Sequence, residues 1–77
     1  MNAGDGVNPE IEVELGELEF GRGMFELALI HYKKALTVDR YNTILFNKIA
    51  NCYCRLKFPW VAIKYYKQSL SIDSSQH

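Results

Sequence analysis

The sequence predicts an all-α protein built from two helix–turn–helix units, and three observations carry this prediction. Residues 27–39 and 61–73 read LALIHYKKALTVD and VAIKYYKQSLSID, and they match at a constant offset that aligns Ala28 with Ala62 and Tyr32 with Tyr66. Apolar residues recur at spacings of three and four, whereas no segment alternates strictly between apolar and polar residues as a half-buried strand does. Glycine and proline lie between the apolar segments, where helices end and begin.

The first helix is predicted from about Pro9 to Phe20. A proline suits the first turn of a helix, and Glu10 and Glu12 follow it where the helix dipole favours negative charge. Residues 1–8, MNAGDGVN, are small and polar, and we expect them to form a disordered leader. The GRG segment at residues 21–23 then breaks the helix, because glycine disfavours a helix interior and suits the left-handed turn at its end.

The second helix is predicted from about Met24 to Asp39. Its candidates for burial are Leu27, Ala28, Ile30, Ala35, Leu36 and Val38. The third helix is predicted from about Thr43 to Leu56, and its candidates are Ile44, Leu45, Phe46, Ile49, Ala50 and Tyr53. The fourth helix begins at Pro59 and contains the second copy of the repeated segment.

The composition is that of one small globular domain. The chain has 77 residues, with 48% hydrophobic and 23% charged residues, which is ordinary for a folded chain near the size at which a single core supplies little stability. No signal peptide and no apolar stretch of membrane-spanning length occurs. We therefore expect a cytoplasmic or other intracellular protein with no membrane partner.

The formal net charge is zero, which argues against nucleic acid as a partner. This zero conceals an asymmetry along the chain. Residues 1–26 contain seven acidic residues and one base, for a net charge of −6, whereas residues 27–77 contain eight bases and two acidic residues, for +6. The two charge groups either form solvated helix faces or make a polar molecule that orients partners, or copies of itself, head to tail.

The repeated positions resemble the tetratricopeptide repeat, a helix–turn–helix unit of about 34 residues. In the second copy the resemblance is carried by Phe46, Ile49, Ala50, Tyr53, Ala62, Tyr66 and Ser69. In the first copy it is carried by Leu15, Gly16, Ala28, Tyr32 and Ala35. The resemblance covers residues 9–76 and implies repeats at 9–42 and 43–76. It also implies two antiparallel helix pairs stacked as a short right-handed α-solenoid.

The first copy departs from the family pattern at two positions. Glu12 stands where a bulky residue is expected, and Glu19 stands where a tyrosine is expected. Terminal repeats need a polar outer side, so these residues favour an end repeat whose outer face meets water. In the second copy Pro59 replaces the aromatic that Phe25 supplies, so we expect one of the neighbouring aromatics, Phe58 or Trp60, to pack in its place. The other is either exposed at the turn, where it could anchor a partner, or buried as well.

Catalytic signatures are missing, and we predict no enzyme activity, no cofactor and no metal site. No phosphate-binding loop, hydrolase or metalloprotease motif occurs. Cys52 and Cys54 lie about 200° apart around a helix and are interpreted as free thiols, because they cannot grip one metal or close an unstrained disulfide. His31 has no carboxylate or nucleophile set beside it, and it is interpreted as a surface or packing residue.

The family resemblance implies a protein or peptide partner, bound in a concave groove that the first helix of each repeat lines. Carried over by position, the groove residues are Glu10, Val13, Glu14 and Glu17 in the first repeat and Asn47, Lys48, Asn51 and Arg55 in the second. Amide side chains can hydrogen-bond an extended backbone. Glutamates at one end of the groove and basic residues at the other favour a ligand of mixed charge.

The fourth helix has a wider apolar arc than one packed face requires. We expect Ile63, Tyr66 and Leu70 to remain as an exposed apolar patch, which marks an interface. Repeats that begin at Pro9 and Thr43 would place the start of a third at His77. Two hypotheses follow: an interaction module excised from or completing a longer array, or an assembly unit that forms a homo-oligomer through the fourth helix.

Overall fold

The computed structural model describes residues 6–75, and its secondary structure is entirely helical there. The four helices are α1 (Pro9–Gly21), α2 (Phe25–Val38), α3 (Thr43–Arg55) and α4 (Pro59–Ser75). These bounds confirm the all-α prediction and the four predicted helices. Most of the predicted leader and the predicted end of the second repeat at residue 76 lie outside the described residues.

Asparagine caps begin α1 and α3 at equivalent positions. The Asn8 side chain accepts hydrogen bonds from the backbone N–H groups of Glu10 and Ile11. The Asn42 side chain does the same for Ile44 and Leu45. Each cap satisfies donors that the first turn leaves unpaired. Asn8, which the sequence prediction placed in the leader, is therefore part of the ordered structure.

Left-handed residues turn the chain within each helix pair. Gly23 has φ of +79° and Lys57 has φ of +72°. Each residue lies two positions after the last residue of the preceding helix. A left-handed residue just after a helix is a common way for the helix to end. The offset that relates Gly23 to Lys57 is the offset that relates Ala28 to Ala62, so the second hairpin repeats the backbone path of the first.

The core lies between the two hairpins and within each of them. Helix α1 packs on α2, α3 packs on α4, and α2 joins the two pairs by packing on α3. The main buried cluster consists of Ala28, Leu29, Tyr32, Ala35, Leu45, Ile49 and Cys52. This packing is consistent with a helical repeat. Within residues 6–75, none of the helices combines the length and hydropathy that crossing a bilayer requires.

Some burial predictions for the core are wrong. Leu27, Ile30 and Val38 are exposed, whereas Leu29 is buried. The reason is that these three residues lie on the face of α2 that points away from both α1 and α3, whereas Leu29 and Tyr32 contact the core shared with α3. Ile44 is exposed as well, because it lies on the face of α3 opposite the core.

A polar cluster in the first hairpin replaces an aromatic cluster in the second. In the second hairpin, Tyr65 contacts Phe46 and stacks on Tyr53 at a centroid distance of 5.6 Å. The equivalent residues of the first hairpin are His31, Glu12 and Glu19. His31 Nδ1 lies 2.8 Å from Glu12 Oε1.

Two predictions about this cluster are corrected by its geometry. His31 does have a carboxylate beside it, because α1 and α2 are antiparallel and bring together residues that are distant in sequence. Glu12 and Glu19 are partly buried between the helices and do not form a water-facing outer side. Glu12 interacts with His31, and Glu19 with Arg22 at 3.3 Å, so each carboxylate has a partner that reduces the cost of burial.

The aromatics at the last turn pack on each other and remain exposed. Phe58 and Trp60 form an edge-to-face pair with centroids 5.7 Å apart. Both side chains stay exposed, so the expectation that one of them packs in place of Phe25 is wrong. In the first hairpin, Phe25 packs against Phe20 of α1. The equivalent partner in α3 is Cys54, which offers no aromatic ring.

Candidate protein-interaction surfaces

The face shared by α1 and α3 contains an ion pair between the two predicted halves of the groove. The Lys48 ammonium on α3 donates to the Glu17 carboxylate on α1, and the Tyr32 hydroxyl donates to the same carboxylate at 2.9 Å. The hydrogen bond from Lys48 is the main reason that the pKa of Glu17 lies below 4.5; Tyr32 acts in the same direction, and partial burial opposes both. The structure thus brings Glu17 and Lys48 together, but as partners of each other.

Two more predicted groove residues have partners within the chain. The Arg55 guanidinium lies 5.9 Å from the ring centres of both Phe20 and Phe25, within the range of a cation–π interaction. The Asn51 side-chain oxygen accepts a hydrogen bond from the Tyr66 hydroxyl. The side chains of Asn51 and Arg55 on the α1–α3 face are therefore held by contacts within the chain. A small depression of about 70 Å³ between Glu17 and Lys48 is too small for a ligand.

The other predicted groove residues are free to meet a partner. Glu10, Glu14 and Asn47 are exposed, and within residues 6–75 their side chains have no hydrogen-bond or ion-pair partner. Val13 is partly buried and contacts the core. Three of the four residues, Glu10, Val13 and Glu14, line one depression.

That depression lies where the N-terminal half of α1 meets the connection between α2 and α3. Its volume is about 420 Å³, within the range of ligand-binding clefts. The lining residues are Pro9, Glu10, Val13, Glu14, Asp39, Asn42 and Leu45. Val13 and Leu45 supply an apolar floor, and three carboxylates stand around it. This acidic depression is the part of the predicted groove that remains open to a ligand.

Sequence reasoning missed two residues of this region. Asp39 was assigned to a helix end, yet it lines the acidic depression and accepts a hydrogen bond from the Asn42 amide at 2.8 Å. Ile44 was assigned to the core, yet it is exposed on α3. The signal for Ile44 was its position one turn before Lys48 and two turns before Asn51, which places all three on one helical stripe.

The predicted patch on α4 is exposed at two of its three residues. Ile63 and Leu70 are largely exposed, whereas Tyr66 is half-buried. Burial is the main reason that the pKa of Tyr66 is raised, and the nearby Cys54 thiol adds to it. The Tyr66 hydroxyl reaches Asn51 in the same way that the equivalent Tyr32 hydroxyl reaches Glu17.

The thiols differ in their surroundings. Cys52 and Cys54 are both free, as predicted, with Cys52 buried and Cys54 exposed. Burial raises the pKa of Cys52 to about 11, so this thiol stays protonated and unreactive at neutral pH. Within the described part of the chain, His, Cys, Asp and Glu side chains form no group of three or more that could hold a metal ion.

Comparison of the chain with protein-family models, with curated proteins and with solved structures gives no significant match.

Proposed function

We propose that this chain is an intracellular protein–protein interaction module of the tetratricopeptide type, with its two hairpins stacked as a short right-handed solenoid. The observation that carries the proposal is the acidic depression between α1 and the α2–α3 connection, because it is an open cleft in which the carboxylates of Glu10 and Glu14 have no partners in the described part of the chain. It supports binding of a protein segment on the α1–α3 face.

The charges around the cleft indicate the chemistry of the bound segment. The prediction of a ligand of mixed charge rested on Lys48 and Arg55. In the structure Lys48 pairs with Glu17, and Arg55 lies against the rings of Phe20 and Phe25. The unpaired carboxylates of the cleft are therefore the charges that a ligand would meet. Electrostatic complementarity favours a basic segment, with an apolar side chain placed over Val13 and Leu45.

A short peptide of alternating lysine and leucine tests this proposal. We expect the labelled peptide to bind with a rise in fluorescence anisotropy and to perturb the backbone amide signals of Glu10, Glu14 and Leu45 in an NMR titration. Glu10→Lys should weaken binding by about threefold or more, because it replaces an attraction to the peptide with a repulsion.

Glu26→Lys is the matched control. Glu26 is the second residue of α2, as Glu10 is of α1, so both substitutions make the same charge change at the same helix position. Glu26 does not line the cleft. Equal weakening by the two variants would assign the effect to net charge, and would contradict binding in the acidic depression.

A further inference from the structure

The exposed apolar residues of α4 correspond to buried residues of α2. Ile63 is 51% exposed, and the equivalent residue of the first hairpin, Leu29, is 8% exposed. Leu70 is 66% exposed, and its counterpart Leu36 packs against the core. Leu29 belongs to the buried cluster that α2 shares with Leu45, Ile49 and Cys52 of α3, and Leu36 packs against this cluster. Helix α4 thus presents to solvent the same type of surface that α2 buries.

The exposed apolar residues of α1 correspond in the same way to buried residues of α3. Ile11 is 52% exposed and Leu18 is 56% exposed, whereas their counterparts Leu45 and Cys52 are almost completely buried. Leu15 is exposed and its counterpart is the buried Ile49. Helix α1 therefore presents to solvent the surface that α3 uses to receive α2.

These correspondences define two complementary surfaces. We call the exposed surface of Ile11, Leu15 and Leu18 on α1, with the partly buried Glu19 at its edge, the head. We call the exposed surface of Ile63, Lys67 and Leu70 on α4 the tail. Within one copy, α2 carries the residues equivalent to the tail and α3 carries those equivalent to the head, and these two helices pack on each other. The tail of one copy and the head of another therefore have the apolar residues needed to pack in the same way.

The contact between the tail of one copy and the head of another would differ from the α2–α3 contact in one pair of charged residues. In the α2–α3 interface the Lys33 ammonium donates to the Tyr53 hydroxyl at 2.7 Å. The counterparts are Lys67 in the tail and Glu19 in the head. Docking one copy on another would therefore place an ammonium beside a carboxylate, where the internal interface has a neutral hydroxyl. Glu19 already contacts Arg22 at 3.3 Å, so Lys67 would be a second cation beside this carboxylate.

We propose that the tail of one copy binds the head of another, in the arrangement by which α2 packs on α3. The occupant of the exposed α4 face is thus a second copy of this chain, identified by the apolar match and by the pairing of Lys67 with Glu19. Because head and tail are different surfaces, the contact is heterologous and leaves a free head and a free tail at the ends of every open assembly. Assemblies grow by addition of further copies.

Two variants that each block one surface provide the test. Leu70→Glu disables the tail, and Leu18→Lys disables the head; both replace exposed residues with good helix formers, so the monomer should keep its fold. Light scattering over a hundredfold concentration range should give a mass that rises with concentration for the natural chain and a constant monomer mass for each variant. Circular dichroism should report equal helix content in all three.

Mixing the two variants gives the decisive measurement. Leu70→Glu keeps an intact head and Leu18→Lys keeps an intact tail, so an equimolar mixture should form a complex of two chains and grow no further. A two-fold α4–α4 dimer would instead leave Leu18→Lys dimeric and would overturn the proposal. A natural chain that stays monomeric throughout, or a mixture that forms no complex, would overturn it as well.

Charge reversal tests the predicted ion pair separately. Lys67→Glu should weaken self-association by about tenfold, and a Glu19→Lys chain should restore binding to it when the two are mixed. Lys64→Glu is the control, because it makes the same charge change on α4 outside the tail. Equal effects of Lys64→Glu and Lys67→Glu would overturn the assignment of the pair. These readouts do not involve Glu10, so this proposal and that of the acidic depression fail independently.

Discussion

At the scale of single residues, Gly16 sets how closely α1 approaches α2. A Cβ added at this position would lie 2.5 Å from Tyr32 Cε1 and 2.7 Å from Tyr32 Cδ1. Tyr32 is buried and its hydroxyl is held by Glu17, so the ring has little freedom to move. Glycine at position 16 therefore has a packing reason, although glycine inside a helix costs about 1 kcal/mol relative to alanine.

Gly16→Ala should destabilise the fold by about 1 kcal/mol, since overpacking against a fixed ring costs roughly 1–3 kcal/mol and this exceeds the gain in helix propensity. Urea unfolding followed by circular dichroism measures the change. The control is Gly21→Ala, since nothing lies within 4 Å of a Cβ added there. A more stable Gly16→Ala chain would mean that the helices separate without cost.

The left-handed turns differ in how well their residues fit. Gly23 adopts φ of +79° without strain, whereas Lys57 adopts φ of +72° with a Cβ that disfavours it. We expect Lys57→Gly to stabilise the fold by about 0.5 kcal/mol, after the greater flexibility of glycine in the unfolded chain is deducted.

The same backbone position in the first hairpin supplies the opposite experiment. Gly23→Ala should destabilise by about 1 kcal/mol, because alanine there takes on the strain that Lys57 already has. Free energies of unfolding from urea titrations check both variants. Destabilisation by Lys57→Gly would contradict the assignment of strain to this turn.

At the scale of helices, the Lys48–Glu17 pair connects α1 directly to α3. The two hairpins are otherwise joined mainly by the packing of α2 on α3. Glu17 also accepts from Tyr32, so one carboxylate joins three helices. In the second hairpin the equivalent residue, Asn51, accepts from Tyr66 and is neutral. The carboxylate, Glu17, therefore occurs in the hairpin in which Lys48 can pair with it.

This pair makes a pH-dependent contribution to stability. The pKa of Glu17 in the folded chain lies below its ordinary value of 4.5, mainly through the hydrogen bond from Lys48. The unfolded chain therefore binds a proton more readily near that pH. The contribution is fully present above about pH 4.5 and is lost as the pH falls through the lower, folded-state value.

Lys48→Met should remove that contribution. Glu17 is about half exposed, so we expect a loss of only about 0.5 kcal/mol at pH 7. The difference between the natural chain and the variant should shrink as the pH is lowered from 7 to well below 4.5. Urea unfolding of both chains at the two pH values measures it. A difference that is independent of pH would show that Lys48 acts through packing of its stem.

At the scale of the whole molecule, the acidic and basic residues are concentrated on different helices. The acidic residues are concentrated on α1, which contributes carboxylates to the acidic depression and to the head. The lysines at positions 64 and 67 lie on α4, which forms the tail. Opposite charges at opposite ends favour head-to-tail encounters and oppose head-to-head ones. The proposed assembly would therefore be selective in direction as well as in partner.

The two proposed surfaces use different parts of the molecule. A protein segment would bind along α1 and α3, whereas a second copy would bind at the exposed faces of α1 and α4. Repeats gain stability from each neighbour on which they stack. Within residues 6–75 a single copy joins its two hairpins mainly by the packing of α2 on α3, so addition of a second copy should stabilise the small core.

Local features of the fold could be predicted from the sequence by itself. The four helices followed from apolar spacing and from the glycine and proline signals, because chain reversal depends on residues close together in the sequence. The constant offset between the two copies also predicted that the second hairpin repeats the first, and Gly23 with Lys57 and Asn8 with Asn42 bear this out.

The tertiary structure decided which side chains find partners. Glu12 with His31 and Lys48 with Glu17 are pairs that are distant in the sequence, and the packing of the helices alone brings them together. Ile63 was predicted to be exposed and is exposed, but the equivalent Leu29 was not among the residues predicted for the core, although it is buried. Burial depends on whether a neighbouring helix is present, which is a property of the assembled molecule and not of the local sequence.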